Sequence, residues 1–236
     1  MRLALAALAL AFVLGCKEEP APPRDQPLDG PARTAEAPAP APKAPEVPPG
    51  SPKVAFLGDS ITAGLHLSSE FAFPAVLQRD FAAAGMPFEL VNAGVSGDTS
   101  SGGARRIDFL LQSKPDVVVI ELGGNDGLRG QPAEVVDANL RSIVYKCRAA
   151  YAKVLLLGVQ LPTSLGSEYV AQFEELYPRL SRQLSVSFVP NFMDGVGGIP
   201  TMNLPDGLHP TAKGHERIAQ NVAPGLREVL NELGRR

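Results

Sequence analysis

The sequence predicts an α/β domain: a three-layer α/β/α sandwich around a central five-stranded parallel sheet. Two observations carry this. Short apolar runs alternate five times with longer stretches of helical periodicity, which implies right-handed βαβ crossovers and a parallel sheet covered on both faces. The apolar runs also end in small polar residues, at the strand edge where open parallel sheets bind ligands.

The elements follow in order. Residues 53–57 form the first strand, which breaks at Gly58 into Asp59 and Ser60. A helix spans 71–84, with Pro74 in its first turn and Gly85 and Pro87 ending it. Residues 88–92 are a second strand, 94–100 a loop of small polar residues, and 104–112 a short helix. Residues 116–122, with Val117, Val118, Val119 and Ile120 in one run, read as a strand buried on both faces. A long amphipathic helix over 132–152 places Val136, Leu140, Ile143, Cys147 and Ala150 on one face. Cys147 is read as a small core residue, since no activating base is near it in sequence. Residues 153–159 are a fourth strand, 168–183 a helix, and 186–189 a short fifth strand. A Gly/Pro-rich loop covers 191–205, and the closing helix spans 211–233, with Thr211 as its N-cap.

The remainder of the chain reads differently. Met1-Arg2 followed by an apolar run to Leu14 has the anatomy of a secretory signal peptide, too short to span a bilayer comfortably. Val13-Leu14-Gly15-Cys16 resembles a bacterial lipoprotein signal. The resemblance implies cleavage after residue 15 and lipid modification of Cys16; an ordinary signal peptide cleaved nearby is the alternative. With Cys16 acylated, Cys147 is the only thiol left, and no internal disulfide forms. Residues 17–52 hold twelve of the chain's 23 prolines. Such a segment buries too little apolar surface to offset its ordering entropy. Extended at about 3.1 Å per residue it reaches on the order of 100 Å. The domains are thus 1–15, signal peptide; 16–52, tether; and 53–236, the folded unit. A net charge of −3 with no basic stripe argues against a nucleic-acid partner.

Within the folded unit, polar loops at Ser60, Gly97 and Asn125 lie at the carboxyl ends of three strands. Asp206-Gly207-Leu208-His209-Pro210 follows the fifth. A parallel sheet gathers these at one edge. A hydroxyl, an imidazole, a carboxylate, an amide and small backbone-presenting loops are the inventory for acyl transfer. Asp59 and Ser60 also suit a helix N-cap, and Gly97, Asn125, Asp206 and His209 also suit turns.

Four motifs, FLGDSITAG at 56–64, NAGVSGDTS at 92–100, ELGGNDGLRG at 121–130 and DGLHP at 206–210, resemble in content and order those of the SGNH (GDSL-type) hydrolases. They are particularly similar to the bacterial thioesterase-I and lysophospholipase group of multifunctional esterases. A Gly-x-Ser-x-Gly elbow is lacking around Ser60, which disfavours the larger α/β-hydrolase fold. The resemblance implies a flavodoxin-like SGNH fold and a monomer with no cofactor and no metal. It implies Ser60 as nucleophile, His209 as general base and Asp206 as its orienting partner. The Ser60 N–H, the Gly97 N–H and the Asn125 side chain would form the oxyanion hole. Asp59 and Asp126 are read as framework residues, His66 as a surface-loop residue near the mouth, and His215 as a residue of the last helix.

The implied substrates are small-molecule carboxylic esters, acyl-thioesters or lysophospholipids. The acyl pocket is expected between residues 127–130, Leu161-Pro162 and the loop 191–205, with ordinary packing of that loop on the core as the alternative. The implied location is the bacterial cell envelope, lipid-anchored through Cys16, with the catalytic domain periplasmic or surface-exposed. Two rival classes are a metal-dependent phosphoesterase, disfavoured by only three histidines in the chain, and a non-catalytic envelope-binding lipoprotein.

Overall fold

The computed structural model describes residues 42–234. The expected signal peptide, Cys16 and the expected tether up to residue 41 lie outside the described residues. Residues 42–52 carry no helix or strand, only a turn at Pro49-Gly50.

Five parallel strands form one sheet in the order β2-β1-β3-β4-β5. They are β1 (Lys53–Gly58), β2 (Glu89–Gly94), β3 (Val117–Glu121), β4 (Lys153–Leu157) and β5 (Ser187–Val189). The helices are α1 (Ser60–Ala63), α2 (Phe73–Ala83), α3 (Ser100–Leu111), α4 (Gly124–Leu128), α5 (Ala133–Ala149), α6 (Ser167–Leu184) and α7 (Ala212–Leu233). One outer layer pairs α2 with α7; the other joins α3, α5 and α6. The chain passes from β1 outward to β2, then returns to place β3 on the other side of β1. That reversal opens a crevice at the carboxyl ends of β1 and β3, where doubly wound sheets bind ligands.

The two central strands fix this geometry. Val54, Ala55, Phe56 and Leu57 on β1 and Val117 to Ile120 on β3 are buried, as a sheet covered on both faces requires. Phe56 meets Phe73 of α2 edge-to-face at 5.7 Å between ring centres. Burying each such side chain contributes about 1.5–3 kcal/mol.

Several boundaries differ from those the sequence predicts. The helix expected at 104 begins at Ser100: Thr99 caps it, its side chain accepting from the Gly102 N–H. Ser100 is itself anchored by Asp126, so Ser100, read as loop, and Ser101, Gly102 and Gly103, outside the expected helix, are helical. Ala150 is exposed rather than on the buried face, because α5 ends at Ala149 and Ala150 is its C-cap. The second strand runs on to Gly94, held against β1 in register Gly58↔Gly94. Thr211 caps α7, accepting from the Gly214 N–H, as expected.

Candidate functional site

Ser60 is the first residue of α1, immediately after β1. Asp59 is the N-cap, and its Oδ1 accepts from the Ile61 N–H at 2.9 Å. The capping task therefore falls to Asp59, and the Ser60 side chain points elsewhere. Its Oγ lies 2.9 Å from His209 Nε2. His209 Nδ1 lies 2.7 Å from Asp206 Oδ2. The nucleophile candidate and the imidazole are 149 residues apart in the chain and meet because both loops emerge at the same sheet edge.

The turn carrying Asp206 and His209 is internally braced. Asp206 Oδ1 accepts the backbone N–H groups of Leu208 (2.9 Å) and His209 (3.0 Å). The His209 backbone N–H, its ring and the Leu208 N–H together hold the Asp206 carboxyl well below the usual carboxylate range. Asp206 is therefore an anion aimed at Nδ1. That favours the Nδ1–H tautomer, which leaves the Nε2 lone pair facing Ser60.

Gly97 and Asn125 approach from either side of Ser60, since β2 and β3 both flank β1. Gly97 sits in the loop after β2 with φ of +77°, a conformation that suits glycine. The exposed Arg129 donates to its carbonyl at 3.1 Å. Asn125 lies in the first turn of α4, where Nδ2 donates to Asp59 Oδ2 at 2.9 Å. One amide hydrogen is thereby fixed, and the second is free for another acceptor. The Ser60 N–H, in the first turn of α1, has no intrahelical partner.

Behind these groups is a buried framework that sequence reasoning missed in part. Glu121, at the end of β3, accepts from the Asp59 N–H (3.2 Å) and the Thr62 hydroxyl (2.8 Å) through one oxygen. Burial, then the neighbouring Asp59 carboxylate, pushes Glu121 well above the ordinary carboxyl range; burial raises Asp59 too. The pair thus favours holding a proton, with Glu121 as its main site. Arg106 reaches back from α3 to Asp98 (2.7 Å), the Ala93 carbonyl (2.6 Å) and the Gly58 carbonyl (2.9 Å). It ties the ends of β1 and β2 to one helix. Asp126 takes both the N–H (2.8 Å) and hydroxyl (2.7 Å) of Ser100. No spacing rule announces Glu121 or Arg106; both act only through strands brought together by the sheet.

A cavity of about 660 Å³ adjoins the site. Ile61, Leu128, Leu161, Pro162, Met193 and Leu208 are among its walls. Of the expected 127–130 segment only Leu128 contributes; Arg129 instead turns toward Gly97. The 191–205 loop divides its labour. Val196 is buried in the core away from the cavity, Phe192 is buried yet forms part of its wall, and Met193 and the neighbouring glycines face it. Cys147 is buried, and burial pushes its thiol up to about 12, leaving it inert. His66 is exposed near the mouth, its ring edge-to-face on His209 at 5.7 Å. His215, on α7, is buried and accepts the Phe73 N–H through Nδ1 at 3.2 Å.

Comparison with known proteins identifies the family of the chain. Residues 56–217 match the GDSL-like Lipase/Acylhydrolase family. Esterase TesA of Pseudomonas aeruginosa is 45% identical over 175 residues, covering 74% of this chain and 87% of that protein. Thioesterase 1/protease 1/lysophospholipase L1 of Escherichia coli K12 is 38% identical over 176 residues, covering 74% and 83%. The crystal structure of TesA superposes with a TM-score of 0.73 at 44% identity, over 75% of this chain and 99% of that one. The psychrotrophic esterase EstA from Pseudoalteromonas sp., in a structure inhibited by monoethylphosphonate, gives 0.72 at 33% identity, over 76% and 98%. The chain belongs to the GDSL-like lipase/acylhydrolase family and is an ester hydrolase of the SGNH type.

Proposed function

We propose that this hydrolase works through an acyl-enzyme on Ser60. Ser60 Oγ attacks the acyl carbonyl as His209 Nε2 takes its proton. The protonated imidazole, stabilised by the Asp206 anion, then delivers that proton to the departing alkoxide or thiolate. In the second half, His209 takes a proton from water, the resulting hydroxide attacks the acyl carbon, and the proton returns to Ser60 Oγ as the acid leaves. The oxyanion formed in each half is met by the Ser60 N–H, the Gly97 N–H and the free hydrogen of the Asn125 amide. Asp59 orients that amide, and Glu121 braces Asp59.

The observation that carries this reading is the Ser60–His209–Asp206 relay, with separations of 2.9 and 2.7 Å. Its test is Ser60→Ala on a p-nitrophenyl ester: turnover falls to background, and unchanged turnover refutes the assignment. A serine-directed phosphonate, the class of inhibitor seen with EstA, inactivates the native enzyme and leaves Ser60→Ala unlabelled.

The substrates are carboxylic esters, with acyl-thioesters and lysophospholipids in the same chemical reach. The apolar walls at Ile61, Leu128 and Leu161 suit an acyl chain. A panel of esters and thioesters of graded length ranks them. The N-terminal reading extends this proposal: residues 1–15 are a signal peptide, Cys16 carries the lipid, and 16–52 tether a monomeric hydrolase domain, 53–236, to the bacterial envelope. Radiolabelled fatty acid is incorporated into the native chain and not into Cys16→Ser; label persisting in that variant refutes acylation at Cys16.

A further inference from the structure

The mouth of the site holds a second histidine that the reaction above does not use. His66 sits in the turn that leaves α1, with φ of +70°, a left-handed conformation uncommon for a residue with a Cβ. That turn is closed by the Leu67 N–H donating to the Gly64 carbonyl at 3.0 Å and the Leu65 N–H to the Ser60 carbonyl at 3.0 Å. The strained backbone is thus held by the same short segment that presents Ser60. The turn carries the His66 ring over His209, nearly perpendicular to it at 86°. One ligand atom each from His66, Asp206 and His209 lies within 4.8 Å of the other two.

We propose that His66, Asp206 and His209 form a three-ligand site for a divalent transition-metal ion, typified by Zn2+, and that its occupancy switches hydrolysis off. Two imidazoles and one carboxylate make a donor set that suits Zn2+ and leaves a fourth position for water. Bonds of about 2.0–2.1 Å in a tetrahedron bring neighbouring ligand atoms to roughly 3.4 Å. His66 and Asp206, both exposed on loops, cover the remaining distance by side-chain movement. Asp206 already carries the negative charge the ion needs. Coordination removes His209 from its alignment between Asp206 and Ser60, so a serine proton has no acceptor. This shut-off rests on the reading of His209 as the general base; the existence of the ion site does not.

The same chemistry separates this site from those of hard cations. Mg2+ and Ca2+ prefer oxygen ligands and gain little from imidazole, so they leave turnover untouched. His66 is the one ligand that belongs to neither the relay nor the oxyanion hole, which makes it the informative position.

The test uses the full-length protein, stripped of metal with a chelator, and a p-nitrophenyl ester. Zn2+ inhibits the native enzyme reversibly, chelator restores the rate, and Mg2+ at equal concentration has no effect. Each variant is compared with its own metal-free rate. Because loss of even an outer-sphere partner costs about 10–100-fold in metal affinity, His66→Ala needs at least about tenfold more Zn2+ for half inhibition. Calorimetry on Ser60→Ala, which has no turnover to inhibit, shows one Zn2+ bound per chain, and adding His66→Ala weakens that binding at least about tenfold. Equal Zn2+ inhibition of the native and His66→Ala enzymes overturns the proposal, as does the lack of a binding heat in Ser60→Ala. Binding that requires His66 but leaves native turnover unchanged upholds the ion site and refutes the shut-off; the role of His209 as base is judged separately, by the loss of turnover in metal-free His209→Ala.

Discussion

The buried imidazole of His215 makes stability, as distinct from activity, depend on acidity in a calculable way. His215 is only 1% exposed and lies in the first turns of α7, where Nδ1 accepts the Phe73 N–H. That N–H is one of the orphan donors at the start of α2, whose N-cap, Ala72, offers no side-chain acceptor. Burial, and secondarily the charge of His209, lowers His215 from 6.5 to about 4. The unfolded chain therefore binds a proton below about pH 6.5, while the folded chain resists it until about pH 4. Stability from this group is intact above 6.5, falls by up to about 1.4 kcal/mol per pH unit across the window, and levels off below 4. The shift corresponds to a total of about 3 kcal/mol. Asp59 and Glu121, raised by burial, slope the other way from their unfolded values upward, so the raw curve mixes contributions. Subtraction against His215→Asn isolates the imidazole, because Asn Oδ1 takes the place of Nδ1 and does not titrate. Urea unfolding from pH 7 to 4 should show the native enzyme's advantage over His215→Asn shrinking by about 3 kcal/mol. An advantage constant to within about 0.5 kcal/mol would refute the reasoning.

Three further outcomes follow from the site and its framework. Asn125→Ala lowers kcat about 10²–10³-fold with little change in KM, measured on a soluble ester, since the amide acts on charge that develops in the transition state. Glu121→Gln keeps both acceptor contacts and a hydrogen to offer Asp59, so its unfolding free energy stays within about 1 kcal/mol of native. Glu121→Ala strips the Asp59 N–H and Thr62 hydroxyl of their acceptor and costs about 2–4 kcal/mol in the same assay. Gly123→Ala places a Cβ 2.1 Å from the Tyr177 hydroxyl at a φ of +115°, and denaturant unfolding should register a loss of about 2–4 kcal/mol.

The sheet was legible because its signal is local. A run such as Val117-Val118-Val119-Ile120 has one reasonable use, and a polar break after it marks the carboxyl edge. Ser60, Gly97, Asn125, Asp206 and His209 could be singled out for the same reason, each lying just past a strand or in a compact motif. The start of α3 was not legible, since Ser100-Ser101-Gly102-Gly103 has poor helix propensity. What makes it helical is the Thr99 cap together with the Asp126 carboxylate, which arrives from another loop. Glu121 was hidden as well. Its carboxyl group lies inside a run read as a strand buried on both faces, and nothing in that run shows the partners that satisfy it, which Asp59 and Thr62 supply from another loop. The cavity wall was half legible: apolar residues in 191–205 were visible, but which of them turn inward is decided by packing against the core.

The imidazole and its carboxylate come from one four-residue turn, whereas the hydroxyl that the imidazole faces lies 149 positions earlier. Along the chain, β1 and Ser60 therefore precede by a long way both groups that, on the proposed relay, draw off the serine's proton. On the proposed relay, a chain that stops short of residue 206 keeps Ser60 but lacks both Asp206 and His209, and is expected to be inert however well its sheet has formed.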